Sequence, residues 1–451
     1  MKLKSLTNML LYALVFGVVF LPIKALGEEK KVYTLLESVD EAIDRNWNVK
    51  AQHEKLNQAQ FKKNQARAEF LPKLSVDYGY TYLDNEEWTD PTVFPFPAPI
   101  GPVEIPGQQL NTHDNYQFRF KATQPIFTGF ALISSYNIAK LGIDISEYEL
   151  ELKKIDIALA AKQAYFGILE ADKALDVAKK AVVSLESNVK VAKSFYEVGM
   201  IPINDLLKAE VELANARQNL VKAGNAAMLA RASFNVALAR PFNAPVEVED
   251  IIGYEPYGGD IESHLGKALE NRPEAKVVEL SIQQADKGIT LARSKYYPEI
   301  AVSYEYIKEG DEYYVDGSPW HEANRWQVTA GLSWTFWEWG KTYYDVSEKQ
   351  SLREELTNSQ KALEDQIRLE IKDALLSIEE AEKNIPAMAK AVEQAEENLR
   401  VNEERYKAQV TTISEVLDAQ TLLTQARTNY YGALYTHHLA KARLMRALGT
   451  Y

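Results

Sequence analysis

The 451-residue chain has no cysteine. That absence removes a disulfide scaffold, thiolate zinc and iron–sulfur sites, a Cys nucleophile and a lipid-acylated N-terminal Cys. Histidine is scarce, and His53, His113, His264, His321, His437 and His438 share no ligand spacing such as a His-Glu-x-x-His helix. There is no Gly-rich phosphate loop and no nucleophile elbow, so the chain reads as a non-enzyme with no cofactor and no metal site. Cations are in deficit, 51 Lys and Arg against 64 Asp and Glu. This argues against a nucleic-acid partner, because phosphate recognition draws its affinity from clustered Lys and Arg. After the first two dozen residues no run approaches the roughly 20 apolar residues of a membrane-spanning helix. With a mean hydropathy of -0.31, a polytopic helical membrane protein is excluded.

What is present begins with a targeting signal. Lys2 and Lys4 precede an apolar run from Met9 to Leu21, and Ala25-Leu26-Gly27 supplies the small, uncharged residues of a cleavage site. The pattern predicts a secretory signal peptide over residues 1–27, cleaved near Gly27, with no lipid anchor. Its removal takes Lys2, Lys4 and Lys24 and no acid, moving the net charge from -13 to -16.

The chain repeats itself. Ala66-Arg67-Ala68-Glu69-Phe70-Leu71-Pro72 returns 226 residues later as Ala292-Arg293-Ser294-Lys295-Tyr296-Tyr297-Pro298. Tyr196 to Glu210 matches Tyr406 to Gln420 at an offset of 210, and the difference falls in a Pro-rich loop between Tyr82 and Tyr116. Such a segment reads as exposed loop, since proline cannot extend a helix or a central strand. The first repeat is expected over 28–240, with strands at about 73–83 and 115–124 and helices at about 130–198 and 203–240. A linker spans 241–262. The second repeat fills 263–451, with strands at about 299–308 and 325–334 and helices at about 338–408 and 413–448.

The helices carry a coiled-coil seam. Leu175, Ala178, Val182, Leu185, Val189, Ala192 and Tyr196 follow three-four steps, and Ile385, Met388, Val392, Ala395, Leu399, Asn402 and Tyr406 repeat them. The returning helices alternate small and large residues, Leu206, Ala209, Leu213, Ala216 and Val416, Ala419, Leu423, Ala426, which lets antiparallel helices approach closely. His437 falls on this seam and reads as a packing residue. At the first turn Gly199 suits a left-handed helix end and Pro202 the start of the next helix. Gln409-Val410-Thr411-Thr412 lacks both residues, and Pro386 predicts a kink in the second long helix.

Four segments show period-two patterning. Leu74, Val76, Tyr78, Tyr80 and Tyr82 alternate with polar residues, and so do Tyr116, Phe118 and Phe120; Ile300, Val302, Tyr304 and Tyr306; and Trp326, Val328 and Leu332. Each segment is about nine residues, the length of a tilted membrane strand. Tyr78, Tyr80, Tyr82, Trp326, Trp334, Trp337 and Trp339 are expected at the membrane–water boundary, where an apolar ring and a polar tip are both satisfied. Asp77, Arg119, Lys121 and Glu305 on the other face suit a wet lumen. Four strands cannot close a membrane barrel, and an open edge in lipid leaves backbone groups unsatisfied, so several copies must pool their strands.

Together these segments resemble the TolC-type outer-membrane efflux family. The likeness rests on Phe70-Leu71-Pro72 and Tyr297-Pro298 before the strands, Gln124-Pro125-Ile126-Phe127-Thr128-Gly129 and Thr335-Phe336-Trp337-Glu338-Trp339-Gly340 after them, and Ile413-Ser414-Glu415-Val416-Leu417-Asp418-Ala419-Gln420 after the second tip. The resemblance implies a mainly α protomer of long coiled-coil hairpins plus four strands. It implies a homotrimer forming a 12-stranded outer-membrane β-barrel continued by a 12-helix periplasmic tunnel. It also implies an exit duct for efflux or type I secretion, set in outer-membrane lipid. The partners would be a periplasmic adaptor (membrane fusion) protein and an inner-membrane transporter of RND, ABC or MFS type. Gate and tip candidates are Gly199, Pro202, Asp205, Glu403, Glu404 and Glu415. The competing expectation is a soluble periplasmic coiled-coil scaffold or adaptor subunit.

Overall fold

The computed structural model describes residues 31–110, 112–251, 253–258, 261–318 and 322–451; the expected signal peptide lies outside them. In chain order the first half holds β1 (Val32–Tyr33), α1 (Leu35–Arg45), α2 (Trp47–Ala68), β2 (Lys73–Tyr82), β3 (Thr92–Phe94), β4 (Val103–Ile105), β5 (Asp114–Thr128), α3 (Ala131–Glu197) and α4 (Ile203–Ala237). The second half holds β6 (Glu247–Val248), α5 (Ile261–Asn271), α6 (Pro273–Arg293), β7 (Glu299–Gly310), β8 (Asn324–Ser333), α7 (Lys341–Lys407) and α8 (Ile413–Ala447). At 1.5 Å per residue, α3 and α7 are rods on the order of 100 Å long.

The helices begin where local chemistry tells them to. Thr34 and Glu37 form a reciprocal capping box at α1, and the Asn46 side chain accepts from the Asn48 amide to open α2. α3 pairs with α4 and α7 with α8, while α2 and α6 lie against the upper parts of the long rods. The lower core joins both hairpins through Leu185, Ala192, Leu206, Ala209, Leu399, Val416, Ala419 and Leu423, the residues of the heptad seams. α7 continues through Pro386, which is exposed, so the proline removes a ladder hydrogen bond without ending the helix.

Several elements escape the periodicity. The Pro-rich loop contains the β3–β4 hairpin, and β1 pairs in parallel with β6 across the repeats. α1 and α5 are short helices that pack on α3 and α7. The main sheet is antiparallel in the order β2-β5-β7-β8, with β2 and β8 at its edges.

Candidate functional site

The sheet presents two chemically distinct faces. One carries Leu74, Val76, Tyr78, Tyr80 and Tyr82 on β2, paired across to Ala122, Phe120, Phe118 and Tyr116, and ends at Trp326, Val328 and Leu332 on β8. These β2 and β8 side chains are exposed: among the described residues nothing covers them. The opposite face is a polar network. Lys121 pairs with Glu305 at 2.9 Å, and Gln327 donates to Glu305 at 2.8 Å. One strand-step on, Arg119 donates to Gln117 at 2.8 Å, Gln117 to Glu309 at 2.6 Å, and Arg325 pairs with Glu309 at 2.9 Å. Asp77 stands opposite Arg119 in the β2–β5 register.

The aromatics sort by height. Tyr78, Tyr80, Tyr82 and Trp326 sit toward the loop end of the sheet, whereas Trp334, Trp337 and Trp339 follow β8 and lead into α7. The eight residue steps from Trp326 to Trp334 span roughly 27 Å of strand, close to the apolar band of an outer-membrane barrel. Tyr80 donates to Asp114 at 2.7 Å and Trp334 donates to the Tyr296 carbonyl at 3.2 Å, so both rings turn a polar tip toward a partner. Each strand-to-rod junction is made by two successive left-handed residues, Gly129 and Phe130 in one repeat and Trp339 and Gly340 in the other.

At the far ends of the rods are two tips with the same backbone. The Gly199 amide donates to the Tyr196 carbonyl at 2.9 Å and the Met200 amide to Phe195 at 2.8 Å; the Gln409 amide donates to Tyr406 at 2.9 Å and the Val410 amide to Arg405 at 2.9 Å. Both are Schellman ends, and Pro202 caps the start of α4. Asp205 lies in the first turn of α4 and Glu415 in the equivalent turn of α8. Tyr406 is buried, its hydroxyl has no hydrogen-bond partner, and its ring lies 5.6 Å from Phe195. Burial first, then the Asp205 charge, push its phenol above the ordinary value.

The remaining acids sit otherwise. Glu403 is half-buried and accepts from Ser184 at 3.4 Å, a link between α7 and α3. Glu404 is exposed and pairs with Arg400 at 2.7 Å, and Arg400 also holds Glu397. Hydrogen bonding to Glu397 raises the Arg400 guanidinium further above its ordinary value. The structure thus brings Asp205 to Tyr406 and ties Glu404 into a surface ion-pair fan.

Among the described residues no helix is long and apolar enough to cross a membrane, and no cluster of three or more His, Asp and Glu is placed to hold a metal ion. The profile of the outer membrane efflux protein family matches residues 38–240 and 264–450. The chain belongs to that family. Among its relatives, the cobalt-zinc-cadmium resistance protein CzcC of Cupriavidus metallidurans is 24% identical over 331 residues, covering 72% of this chain and 75% of CzcC. The Campylobacter jejuni CmeC outer membrane channel superposes with a TM-score of 0.77 at 15% identity, covering 94% of this chain and 90% of CmeC. The outer membrane protein VceC of Vibrio cholerae gives 0.75 at 16% identity, covering 92% and 96%.

The protein is an outer-membrane efflux channel with a periplasmic part, not an enzyme and not a soluble adaptor. In this efflux protein the expected linker forms a strap, described over residues 247–251 and 253–258, whose anchors on both repeats have no signature in the sequence. Tyr165 donates to the Glu249 carbonyl at 2.6 Å, Lys173 pairs with Asp250 at 2.5 Å, and His438 contacts the Gly253 carbonyl at 2.8 Å. The Tyr257 amide then donates to Glu382 at 2.5 Å. These anchors come from four places in the chain, which is why periodicity could not find them.

Proposed function

We propose that three copies pool their sheets into one twelve-stranded barrel in the outer membrane. The helical hairpins then continue below it as a periplasmic tunnel. One observation carries this reading: a sheet whose apolar face is bare and whose end strands β2 and β8 each have an outer edge left unpaired among the described residues. In hydrocarbon each unsatisfied edge group costs several kcal/mol, and pairing β8 of one copy with β2 of the next removes every edge. The polar network of Lys121, Glu305, Arg119, Glu309 and Arg325 lines the resulting lumen.

In this reading the tunnel docks on a periplasmic adaptor, which couples it to an inner-membrane transporter of RND, ABC or MFS type. Tip residues Gly199, Pro202, Asp205, Glu403, Glu404 and Glu415 surround the entrance, and Tyr78, Tyr80, Tyr82, Trp326, Trp334, Trp337 and Trp339 form the two membrane girdles. Residues 1–27 direct export. Separation of inner and outer membranes followed by detergent extraction tests the assembly: a heat-sensitive trimer in the outer-membrane fraction is the expected result, and a salt-extractable monomer overturns it. A deletion strain challenged with cobalt, zinc and cadmium on one side and with organic toxicants on the other separates metal cargo from drug cargo.

A further inference from the structure

The two ends of the main sheet carry opposite charge. At the rod end, the equivalent segments 61–73 and 287–299 hold seven Lys and Arg against Glu69 and Glu299. At the other end, segments 83–114 and 311–324 hold ten Asp and Glu and no Lys or Arg. The basic end stands out in a chain whose net charge is -13.

Both repeats set an arginine at the same point of that end. Arg67 lies in the last turn of α2 and Arg293 in the last turn of α6, 226 residues on. Each is exposed and forms no ion pair among the described residues, whereas Glu69 holds Lys73 at 2.6 Å and Asp345 holds Lys295 at 2.7 Å. Three residues after each arginine stands an exposed ring with an exposed apolar neighbour, Phe70 with Leu71 and Tyr296 with Tyr297. Both turns are fastened to the rod end of the sheet. The Gln124 side chain donates to the Phe70 carbonyl at 2.9 Å, and the Trp334 indole donates to the Tyr296 carbonyl at 3.2 Å.

We propose that the rod end of the sheet is a docking surface for anionic phospholipid, in which Arg67 and Arg293 hold headgroup phosphates and Phe70, Leu71, Tyr296 and Tyr297 lie against the glycerol and upper acyl carbons. The inference rests on the reading that the sheet is set in the outer membrane, which puts these turns at its periplasmic leaflet. Three copies then carry six such arginines. Charge complementarity selects the occupant, since an anionic headgroup layer gains from every unpaired cation at its surface. The planar guanidinium adds two parallel donors that match a pair of phosphate oxygens. The acids at the other end of the sheet repel the same headgroups, so the attraction is confined to one leaflet.

Native mass spectrometry of the detergent-purified protein tests the surface, with a phosphatidylglycerol and a phosphatidylcholine of the same acyl chains as probes. Wild type should retain phosphatidylglycerol in preference, and less of it as ammonium acetate is raised, because exposed ion contacts are screened by salt. One cation beside an anionic leaflet is worth about a factor of five. Arg67→Gln and Arg293→Gln, made singly and together, should therefore cut phosphatidylglycerol affinity about fivefold at each site changed and leave phosphatidylcholine retention as it was. Arg67→Lys with Arg293→Lys keeps the charge and should keep most of the preference. Lys361→Gln with Lys372→Gln, on α7 about 30 Å or more below its start, should change nothing. A cation in the last turn of a helix also eases the helix dipole. Were that its whole role, the glutamine variants would lose stability while the ratio of the two lipids stayed at the wild-type value, and the docking surface would be overturned. Equal retention of both lipids by wild type overturns it as well. In either case a trimeric mass leaves the barrel reading standing. A monomer that stays soluble without detergent overturns the barrel reading, and the docking surface with it.

Discussion

Gln409 adopts in the second tip the left-handed conformation, φ 60°, that Gly199 adopts in the first at φ 75°. The hydrogen bonds around them are the same pair, one to the third residue back and one to the fifth. A side chain in this region costs about 1–2 kcal/mol. Glycine would relieve that cost while adding about 0.4–1 kcal/mol of unfolded-chain entropy. Gln409→Gly should therefore stabilise the second tip by about 0.5–1 kcal/mol. Gly199→Ala should weaken the first by a similar amount, since only backbone strain opposes it and nothing lies within 4 Å of the added carbon. Amide exchange at Val410 and Met200 reads both effects directly.

A second glycine pair tests the strand-to-rod junction. A Cβ on Gly129 would lie 2.4 Å from the Ser294 carbonyl oxygen and 2.9 Å from Tyr297 Cβ, at a φ of 59°. The carbonyl belongs to backbone and cannot swing aside, so Gly129→Ala must push β5 away from the end of α6. A cost of about 3 kcal/mol or more is expected, seen as loss of the heat-sensitive trimer from outer membranes. Gly79 in β2 meets nothing within 4 Å, and Gly79→Ala should be neutral or slightly stabilising in the same gel assay.

These junctions show where sequence reasoning succeeds and where it stops. Rods and strands were legible because one residue spacing, repeated many times, reports one face: Leu185, Ala192 and Leu399 mark the seam, and Leu74, Val76 and Tyr78 mark the apolar sheet face. Gln409 was not legible, since a left-handed residue other than glycine has no reliable signature; its hydrogen bonds become visible only in three dimensions. The same holds for the strap. Tyr165 and Lys173 on α3, Glu382 on α7 and His438 on α8 each meet the strap once, so no periodicity records them. Among the tip acids, Asp205 and Glu403 were both marked only by nearness to the tips, and the link of Glu403 to Ser184 of another helix is visible only in three dimensions.

Charge at the tips should set ion preference. Asp205 and Glu415 occupy equivalent first turns, and three copies would place six carboxylates around one entrance. A ring of like charges in a narrow pore attracts counter-ions strongly. Asp205→Asn combined with Glu415→Gln should shift the reversal potential toward zero in planar bilayers under a salt gradient. Unchanged cation preference would place the selectivity elsewhere, for example in the Lys121–Glu305 wall of the barrel. Glu404 serves as the internal control: it is exposed and already paired with Arg400, so Glu404→Gln should leave the potential unchanged.

Acid should loosen the strap. His437 is wholly buried on α8, with Glu382 of α7 at 3.5 Å and the Tyr254 ring of the strap 5.3 Å away, while Lys441 on its own helix adds a like charge. His438 beside it stacks on Phe166 and holds the Gly253 carbonyl. Burial, the largest influence on each, keeps both imidazoles below their ordinary value of 6.5. The folded chain therefore binds fewer protons than the unfolded chain just below that value. Stability is complete above about pH 6.5 and declines as the pH falls through the depressed folded values. Glu370 adds to acid lability in a lower window. Its burial works to raise its pKa, but the Gln366 hydrogen bond and the Arg272 and Arg446 charges outweigh burial and leave it lowered from 4.5. Its stabilisation is present above that value and is lost only below it. Between about pH 6.5 and 5 the histidines thus act without Glu370. The first repeat supplies the control, since Ala227 and Met228 stand where His437 and His438 stand in the second. His437→Ala with His438→Met should flatten the pH dependence of strap exchange, measured at the Tyr254 and Tyr257 amides, while wild type exchanges faster toward pH 5 after correction for intrinsic rates. Equal acid sensitivity in both proteins would remove the histidines as its cause.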